Sequence, residues 1–227
     1  MRGGWRQRRL FAKLPAMPML RVLAVVLLLA LAPAATCAAG AQAWRFDPVH
    51  TQVTFFVDHL GFAKAAGRLR VSQGWFRFDP DDWSSAAVDV TIDLASVDMG
   101  DPRWSETVRS GQFFNTERWP TARFVSRSVD TGGQAPGRAV LRGDLTLHGV
   151  SQPLDLAVTF NRIGRDPYAF KRKAGFSAQA IVKRSAFGMT RYAEVVGDEV
   201  ELRIEVEGID DDKAATRNEA ADGIEKH

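Results

Sequence analysis

Histidines and acids are the side chains of this sequence that could transfer protons or hold a metal ion. His50 and His59 lie nine residues apart, and an odd separation along an unbroken strand points two side chains to opposite faces. Acidic residues are plentiful, but nothing singles out a pair that could act as general acid and base. The sequence also lacks the G-x-S-x-G, H-E-x-x-H, P-loop and dinucleotide-binding motifs. We therefore expect no catalytic site, no metal site and no cofactor.

The basic run Lys171-Arg172-Lys173 is a second candidate for chemistry because Tyr168 and Phe170 lie beside it. Basic and aromatic residues together can bind nucleic acid. However, residues 44–208 carry 21 basic and 21 acidic side chains, and the basic surplus of the chain lies before them. We expect a solvated hairpin loop here and no nucleic-acid partner. Attraction of an acidic head group to a cavity mouth is the alternative.

Aromatic residues are the more informative group. The chain contains 14 phenylalanines and 6 tryptophans. These rings could fill a core, or they could line a cavity that accepts an apolar ligand. The choice between the two depends on the elements that position the rings.

Residues 1–43 have the organisation of a secretory signal peptide. They contain six basic residues and no acid, followed by the apolar run Val22–Ala32. This run is shorter than the roughly 20 residues that a membrane-spanning helix needs, and Ala41-Gln42-Ala43 has the small-x-small form that a signal peptidase accepts. We therefore predict an exported protein that starts at Trp44. An uncleaved anchor, twin-arginine export through Arg8-Arg9 and a lipoprotein cysteine at Cys37 are the alternatives.

The rest of the chain alternates apolar and polar residues with the period of two that is typical of strands. Strands are predicted at Thr51–His59, Ala66–Asp79 (divided in two by a bend at Gly74), Ala87–Leu94, Ala122–Asp130, Arg138–His148, Pro153–Arg162, Ala174–Lys183 and Glu199–Glu207. One short helix is predicted at Pro102–Gly111, and the acidic tail 209–227 is predicted to be disordered. About eight antiparallel strands with one apolar face must bury that face, either between two sheets or inside one closed sheet.

A closed barrel would give the aromatic residues a second use. A barrel of eight strands has an interior just wide enough to be filled by side chains or to hold one small ligand. If the predicted strands all point their apolar residues inward, the interior suits a long hydrocarbon chain. Burial of one CH₂ contributes about 0.8 kcal/mol, so about ten methylenes can offset the ordering cost of binding.

Six ordered blocks of the sequence resemble the YceI-like family. The blocks are Trp44–Phe55 with His59-Leu60-Gly61, Gly67 with Gly74–Asp79, Ala95-Ser96-Val97-Asp98, Arg109-Ser110 with Phe113-Phe114, Pro120 and Phe124, Gly143–Val150, and Gly175-Phe176 with Phe187-Gly188-Met189. The resemblance implies that residues 44–208 form one all-β domain, a closed antiparallel lipocalin-like barrel of about eight strands with one short helix. It also implies a periplasmic carrier that holds a polyisoprenoid or quinone-type lipid in the lumen without transforming it.

Strand parity and the resemblance together predict the residues that contact this lipid. They are Val53, Phe55, Val57, His59, Leu69, Phe76, Phe78, Val90, Phe113, Phe124, Leu145, Leu147, Phe160 and Phe176. His59 is the best candidate for a polar contact near one end of the lumen, and a structural hydrogen bond is its alternative role. Many family members carry Arg-Asp-x-His-Leu where this chain has Trp104–Val108, so the resemblance implies a more apolar cap here.

Other functions are compatible with a barrel. An enzyme acting on an isoprenoid or fatty substrate needs an inward acid or base with a shifted pKa, which strand parity does not predict. An integral outer-membrane barrel needs an outward apolar band, whereas outward positions such as Asp89 and Glu201 are charged. An accessory factor of electron transfer would use the same lipid binding. Because the outward positions are charged, stable membrane insertion is not expected. A homodimer is left open.

Overall fold

The structure is a computed structural model that describes residues 40–216. Most of the predicted signal peptide and residues 217–227 of the predicted tail lie outside the described residues. The strands in the described part are β1 Gln42–Phe46, β2 Gln52–His59, β3 Ala63–Phe78, β4 Ala87–Asp98, β5 Thr121–Asp130, β6 Arg138–Leu147, β7 Val150–Arg165, β8 Arg172–Lys183 and β9 Val196–Asp210. One α-helix, α1 (Pro102–Arg109), follows β4, and two 3₁₀ turns lie at Trp83–Ser85 and Arg184–Phe187.

The strands form one closed antiparallel barrel. Each strand from β2 to β9 pairs with the next, and β9 returns to pair with β2, for example Val53 with Ile204. β1 pairs with the C-terminal parts of β3 and β9, whereas β2 pairs with their other parts. β1 and β2 therefore occupy one strand position, which makes eight positions. The predicted barrel of about eight strands with one short helix is confirmed.

Strand β1 was not predicted from the sequence, and a break at residues 47–51 separates it from β2. Proline cannot donate a ladder hydrogen bond, and Pro48 lies at this break. Asp47 and Thr51 close it: the amides of both residues donate, Asp47 to the Glu207 carbonyl at 2.8 Å and Thr51 to the Asp47 carbonyl at 2.8 Å. The Thr51 hydroxyl also donates to the Glu207 carbonyl at 3.1 Å. These bonds hold β9 against the break, so the barrel wall stays closed there.

β3 is one strand, and the predicted division at Gly74 is wrong. The pairing of β3 with β4 shifts register between Val71 and Gln73, and Gly74 follows with φ +147°. A side chain at Gly74 would place its Cβ 2.6 Å from the Asp89 carbonyl oxygen. The irregularity bends the strand without ending it. The β1 partner takes over after the bend, because β2 pairs with the part of β3 before it.

Two predicted boundaries differ from the structure. Ile209 and Asp210 were assigned to a disordered tail, but they continue β9 and pair with Arg45 and Trp44 of β1. Ala214, beyond the strand, is buried. At the other end β1 begins at Gln42, before the predicted first residue of the mature protein. The first and last strands support each other, and short-range composition could not show this pairing.

The core of the protein lies inside the barrel. β6 illustrates the reason, since Leu141, Leu145 and Leu147 are buried while Arg142 and Thr146 on the alternate face are exposed. This is the period of two that one-sided burial of a strand requires. Among residues 40–216, no helix is both long enough and apolar enough to cross a bilayer.

Candidate functional site

The barrel interior contains two cavities that meet at a narrow waist. The waist is formed by Val53, Ile92, Leu145 and Leu202, which line both cavities. Each cavity has a volume of about 170 Å³. We call the cavity that Trp83 lines the Trp83 lobe and the cavity beneath α1 the helix lobe. The two lobes follow one another along the barrel, so the lumen is a two-part space with apolar walls.

Phenylalanine rings close the far end of the Trp83 lobe. Phe78 is 3% exposed, and its ring centroid lies 5.1 Å from that of Trp83, 5.1 Å from that of Phe160 and 4.9 Å from that of Phe176. Trp83 and Phe160 also contact each other at 6.2 Å. Edge-to-face and tilted contacts at these distances stabilise aromatic pairs beyond their burial. We call these four rings the aromatic plug.

A helix and two loops cover the other end. Asp101 caps α1, because its carboxylate accepts hydrogen bonds from the amides of Arg103 at 3.0 Å and Trp104 at 2.9 Å. The buried Ser105 hydroxyl accepts from the Met99 amide at 3.0 Å, which fixes α1 to the end of β4. Trp104 and the buried Val108 face the helix lobe.

Buried Arg184 holds the second cover in place. Its side chain is 5% exposed and borders the helix lobe. The guanidinium donates to the carbonyl oxygens of Gly197 at 2.9 Å, Arg191 at 2.8 Å and Val196 at 2.8 Å, and a further bond reaches Met189. These bonds tie the loop 188–195 to the start of β9. Carbonyl dipoles thus replace water around the buried guanidinium.

At three glycines of the barrel wall, a phenylalanine ring packs in the space that a side chain would need, and this keeps the lumen open. A Cβ atom on Gly67 would lie 2.2 Å from Cζ of Phe55, and one on Gly208 would lie 2.3 Å from Cζ of Phe76. A Cβ atom on Gly143 would likewise lie 2.5 Å from Cζ of Phe124. Real Cβ atoms do not approach this closely, so each ring occupies the space that a side chain would need. The rings therefore cover the wall instead of crossing the lumen.

Thirteen of the fourteen predicted contact residues line one lobe or both. The Trp83 lobe contains Val53, Phe76, Phe78, Val90, Phe124, Leu145 and Phe176. The helix lobe contains Val53, Phe55, Val57, His59, Leu69, Phe113, Leu145 and Leu147. Phe160 borders neither cavity, because it packs into the aromatic plug. Whether these residues contact a lipid stays a prediction.

His59 stands at the outer edge of the helix lobe. Its side chain is exposed, and its ring lies 5.5 Å from the ring of Trp104. The predicted parity with Phe55 is correct, since both residues line the same lobe. His59 is thus placed where a polar end of a ligand would meet water.

The sequence analysis missed lining residues on elements without strand periodicity. Trp83 lies on a 3₁₀ turn, Met99 in the connection to α1, and Met189 in the loop after β8. Parity gives no information on such segments. Leu202 could have been found, because it shares the alternating pattern of β9 with Val200 and Ile204.

The linings of both lobes contain no aspartate or glutamate among the described residues. Their polar members are Thr51 and Arg77 in the Trp83 lobe, and His59 and Arg184 in the helix lobe. The titratable groups with shifted pKa values lie outside the lumen.

One group of side chains outside the lumen has the composition of a metal site. Asp47, His50 and Glu207 bring their ligand atoms together beside the break between β1 and β2. The Lys173 ammonium lies among them, 3.3 Å from Asp47 and 2.7 Å from Glu207, and 3.2 Å from Asp166. A fixed cation therefore already pairs with these carboxylates. We call these five residues the lysine cluster.

The lysine cluster shifts two pKa values in opposite directions. Burial raises the pKa of Asp47, but hydrogen bonds from His50, the Val49 amide and Lys173 outweigh it and lower this pKa to about 2. The hydrogen bond to Glu207 raises the pKa of Lys173, and burial opposes it. Both groups are therefore charged at neutral pH. The cluster joins the break, the β7–β8 hairpin and β9 by ion pairs.

Comparison with known proteins identifies the family. The model of the YceI-like domain matches residues 44–208. The chain belongs to the YceI-like family. A UPF0312 protein of Serratia proteamaculans is 38% identical over 160 residues, which cover 70% of this chain and 81% of that protein.

Two solved structures of this fold are also similar. The YceI protein of Campylobacter jejuni has a TM-score of 0.60 and 26% identity, with 67% of this chain and 89% of that chain covered. A polyisoprenoid-binding domain from Saccharophagus degradans has a TM-score of 0.56 and 15% identity, with 75% of this chain and 99% of that chain covered. At 15% identity the likeness to the second structure shows the fold alone.

Proposed function

We propose that this YceI-like protein is an exported periplasmic carrier that holds a long-chain isoprenoid or a similar lipid in its two-lobed lumen and does not transform it. The apolar two-part cavity is the observation that carries this proposal. A closed eight-stranded barrel without a ligand role would fill its interior with side chains. Here the rings of Phe55, Phe76 and Phe124 lie over glycines, and space is left along the axis.

The dimensions of the lumen favour a long, narrow ligand. A cavity of about 150 Å³ lined by apolar residues accepts a molecule such as benzene. Each lobe, at about 170 Å³, is of that size. A compact ligand would use one lobe, whereas a flexible chain that passes Val53 and Leu202 at the waist would use both. About ten buried methylenes would contribute about 8 kcal/mol before ordering costs.

The lining supports binding without chemistry. Proton transfer to or from a hydrocarbon chain needs an acid or base within hydrogen-bond reach. The described lining contains neither aspartate nor glutamate. Arg184 directs its N–H groups to backbone carbonyls, and His59 lies at the outer edge. The polyisoprenoid-binding description of the Saccharophagus degradans domain agrees with this function.

The export part of the proposal rests on the leader. Residues 1–43 have a basic start, a short apolar run and a small-x-small end. The single cysteine of the chain, Cys37, lies within this leader. A mature protein that starts at Trp44 would have no thiol to protect in an oxidising compartment.

Mass spectrometry of organic extracts tests the carrier function. The protein is purified from its native periplasm, and the extract is expected to contain a long-chain lipid in near-stoichiometric amount. Leu202→Trp should sharply reduce this lipid, because the larger side chain narrows the waist. Ile181→Trp is the matched control, since Ile181 points outward from the neighbouring strand with 58% exposure. Absence of any hydrophobic molecule from the unaltered protein, with several extraction solvents, contradicts the proposal.

A further inference from the structure

We propose that the lipid enters and leaves at the helix end of the barrel, and that the exposed apolar residues of this end contact the surface of a lipid bilayer during exchange. This inference rests on the proposed function and adds the route and the partner surface. It follows from the contrast between the two ends of the lumen and from the location of the exposed apolar side chains.

At the Trp83 end, the rings of the aromatic plug pack on one another. Phe78 is 3% exposed, and its ring contacts the rings of Trp83, Phe160 and Phe176. Phe76, which is 4% exposed, adds a further edge contact to Phe176 at 5.5 Å. The phenylalanine rings come from β3, β7 and β8, which are fixed by ladder hydrogen bonds, and Trp83 lies on the 3₁₀ turn after β3. A ligand leaving between these rings would have to separate Phe78 from its three ring neighbours.

The helix end is covered by loops and one short helix that lie outside the ladder. Five apolar side chains at its edge are exposed to water: Leu60 is 48% exposed, Phe62 89%, Trp104 37%, Tyr192 45% and Val195 39%. We call these five residues the apolar rim. They include half of the ten large exposed hydrophobic residues found in the described part of the chain. Exposed apolar groups gathered at one place mark an interaction surface.

Direct contacts join the parts of the apolar rim to one another. The amide of Leu60 donates to the Val195 carbonyl at 2.7 Å, so the β2–β3 hairpin tip lies against the loop before β9. The ring of His59, next to Leu60, lies 5.5 Å from that of Trp104. The ring of Tyr192 stacks on Phe113 at 5.9 Å. Hairpin, helix and loop therefore form one edge around the lobe.

The rim is continuous with the lining of the lumen. Trp104 is exposed at the rim and also lines the helix lobe. Phe113 lines the same lobe and carries Tyr192 on its outer side. An apolar path thus leads from the outer surface into the cavity. A lipid that moved along this path from a bilayer would not have to expose its whole chain to water.

The residue types of the rim fit a bilayer surface. Tryptophan and tyrosine are enriched at the boundary between hydrocarbon and water, where one side of the ring is apolar and the other is wet. Tyr192 keeps its hydroxyl bonded to Gln112 at 2.7 Å. Arg191 lies over the Tyr192 ring at 5.6 Å, and Arg103 precedes Trp104. Arginines at these positions can reach lipid phosphates while the rings contact the acyl boundary.

The hairpin tip that carries Phe62 is held in a defined conformation. Leu60 has φ +60° and Gly61 has φ +70°, which turns the chain sharply. The Asp58 carboxylate accepts a hydrogen bond from the Gly61 amide at 3.0 Å. The structure therefore presents Phe62 outward on a fixed turn, and exposure of this ring is a built feature of the hairpin.

A second hairpin provides a matched control. Tyr168 and Phe170 are 91% and 70% exposed on the β7–β8 hairpin. Because β7 runs from the helix end to the Trp83 end, this hairpin lies at the opposite end of the barrel. Asp166 accepts from the amides of Tyr168 at 2.8 Å and Ala169 at 3.0 Å, so this tip is also a fixed turn. The β2–β3 hairpin displays its apolar side chains at the helix end, whereas the β7–β8 hairpin displays them at the Trp83 end.

Vesicle-to-vesicle transfer of a labelled lipid tests the proposal. Donor vesicles of phosphatidylethanolamine and phosphatidylglycerol carry a self-quenching pyrene-labelled polyprenol, and unlabelled acceptor vesicles of the same composition dilute it. The full-length exported protein should accelerate transfer. We expect Leu60→Ser with Phe62→Ser to slow protein-dependent transfer by on the order of tenfold or more, because two apolar side chains no longer contact the bilayer. Tyr168→Ser with Phe170→Ser should leave the rate unchanged.

The controls separate this inference from the proposed function. Both double variants should keep the unfolding midpoint and the extracted lipid of the unaltered protein, since all four residues are exposed. Equal rates for the two variants, or a loss confined to the Tyr168 and Phe170 variant, overturn the helix end as the route. A protein that contains lipid but never accelerates transfer points to a protein partner and overturns the bilayer. A protein that contains no lipid at all contradicts the proposed function itself.

Discussion

The two ends of the barrel are closed in different ways. At the Trp83 end, Phe78, Phe160 and Phe176 belong to strands of the barrel itself and pack ring on ring with Trp83. At the helix end, α1 and the loop 188–195 lie outside the strand ladder, where the bond from the Met99 amide to Ser105 and the bonds from Arg184 to backbone carbonyls hold them. The closure at the Trp83 end is built mainly from the wall and belongs to the folding core, whereas the closure at the helix end is added to the wall.

The largest expected effect is a difference in how much each of the two closures contributes to the free energy of unfolding. Phe78→Ala should lower the free energy of unfolding by about 3–5 kcal/mol, because it removes a buried ring and leaves a cavity. Trp104→Ala should cost less, at most about 1.5 kcal/mol, because its side chain is 37% exposed. Urea unfolding followed by circular dichroism measures both. Equal losses in the two variants would show that α1 is as integral to the fold as the aromatic plug.

Glycine substitutions test whether both lobes depend on rings that lie against the wall. Gly67→Ala acts on Phe55 in the helix lobe, and Gly208→Ala acts on Phe76 in the Trp83 lobe. Each should destabilise the protein by about 1–3 kcal/mol through overpacking, and each should reduce the lipid recovered from the purified protein. In the matched control Gly175→Ala, the added Cβ would meet its nearest atom at 3.8 Å. Normal lipid content in both variants would mean that ring position does not govern the capacity of the lumen.

Acid should weaken the lysine cluster, which joins the break between β1 and β2 to β9. Asp47 has a folded pKa of about 2, below its ordinary value of 3.8, so its contribution is present at neutral pH and is lost as the pH falls from about 4 towards 2. The loss is on the order of 2 kcal/mol. Unfolding free energies of the unaltered protein and of Asp47→Asn, measured between pH 7 and pH 2, check this.

The Asp47→Asn variant should be less stable at neutral pH and should depend less on pH between about 4 and 2. Asp144→Asn is the control, because Asp144 pairs at 3.4 Å with Arg127 on the exposed outer surface. An unchanged acid profile in Asp47→Asn would mean that the lysine cluster does not stabilise the break between β1 and β2.

Strand parity predicted the wall of this protein well because burial on one face forces a period of two. The positions of Val53, Phe55 and Val57 on β2 follow from that rule alone, and all three line the lumen. The closed barrel needed more than parity, because alternation is equally compatible with two packed sheets. Resemblance to a family of barrels decided between these architectures.

Parity fails where the chain leaves the ladder or where the ladder is irregular. Phe160 has inward parity, but a register shift follows it on β7 and its ring packs into the aromatic plug. The break at Pro48 divides one strand position between β1 and β2, and this depends on the distant partner Glu207. The burial of Arg184 could not be recognised, because it depends on four carbonyls from the later loop and the start of β9. Such long-range pairings leave no local pattern.

The seam between the first and last strands has a consequence for biosynthesis. Gln52 pairs with Glu205 and Trp44 with Asp210, so the ring of strands cannot be completed until β9 has left the ribosome. Contacts this distant along the chain form slowly, because the connecting segments must first be brought together. The barrel of a nascent chain therefore stays open until β9 is available to pair with β1 and β2.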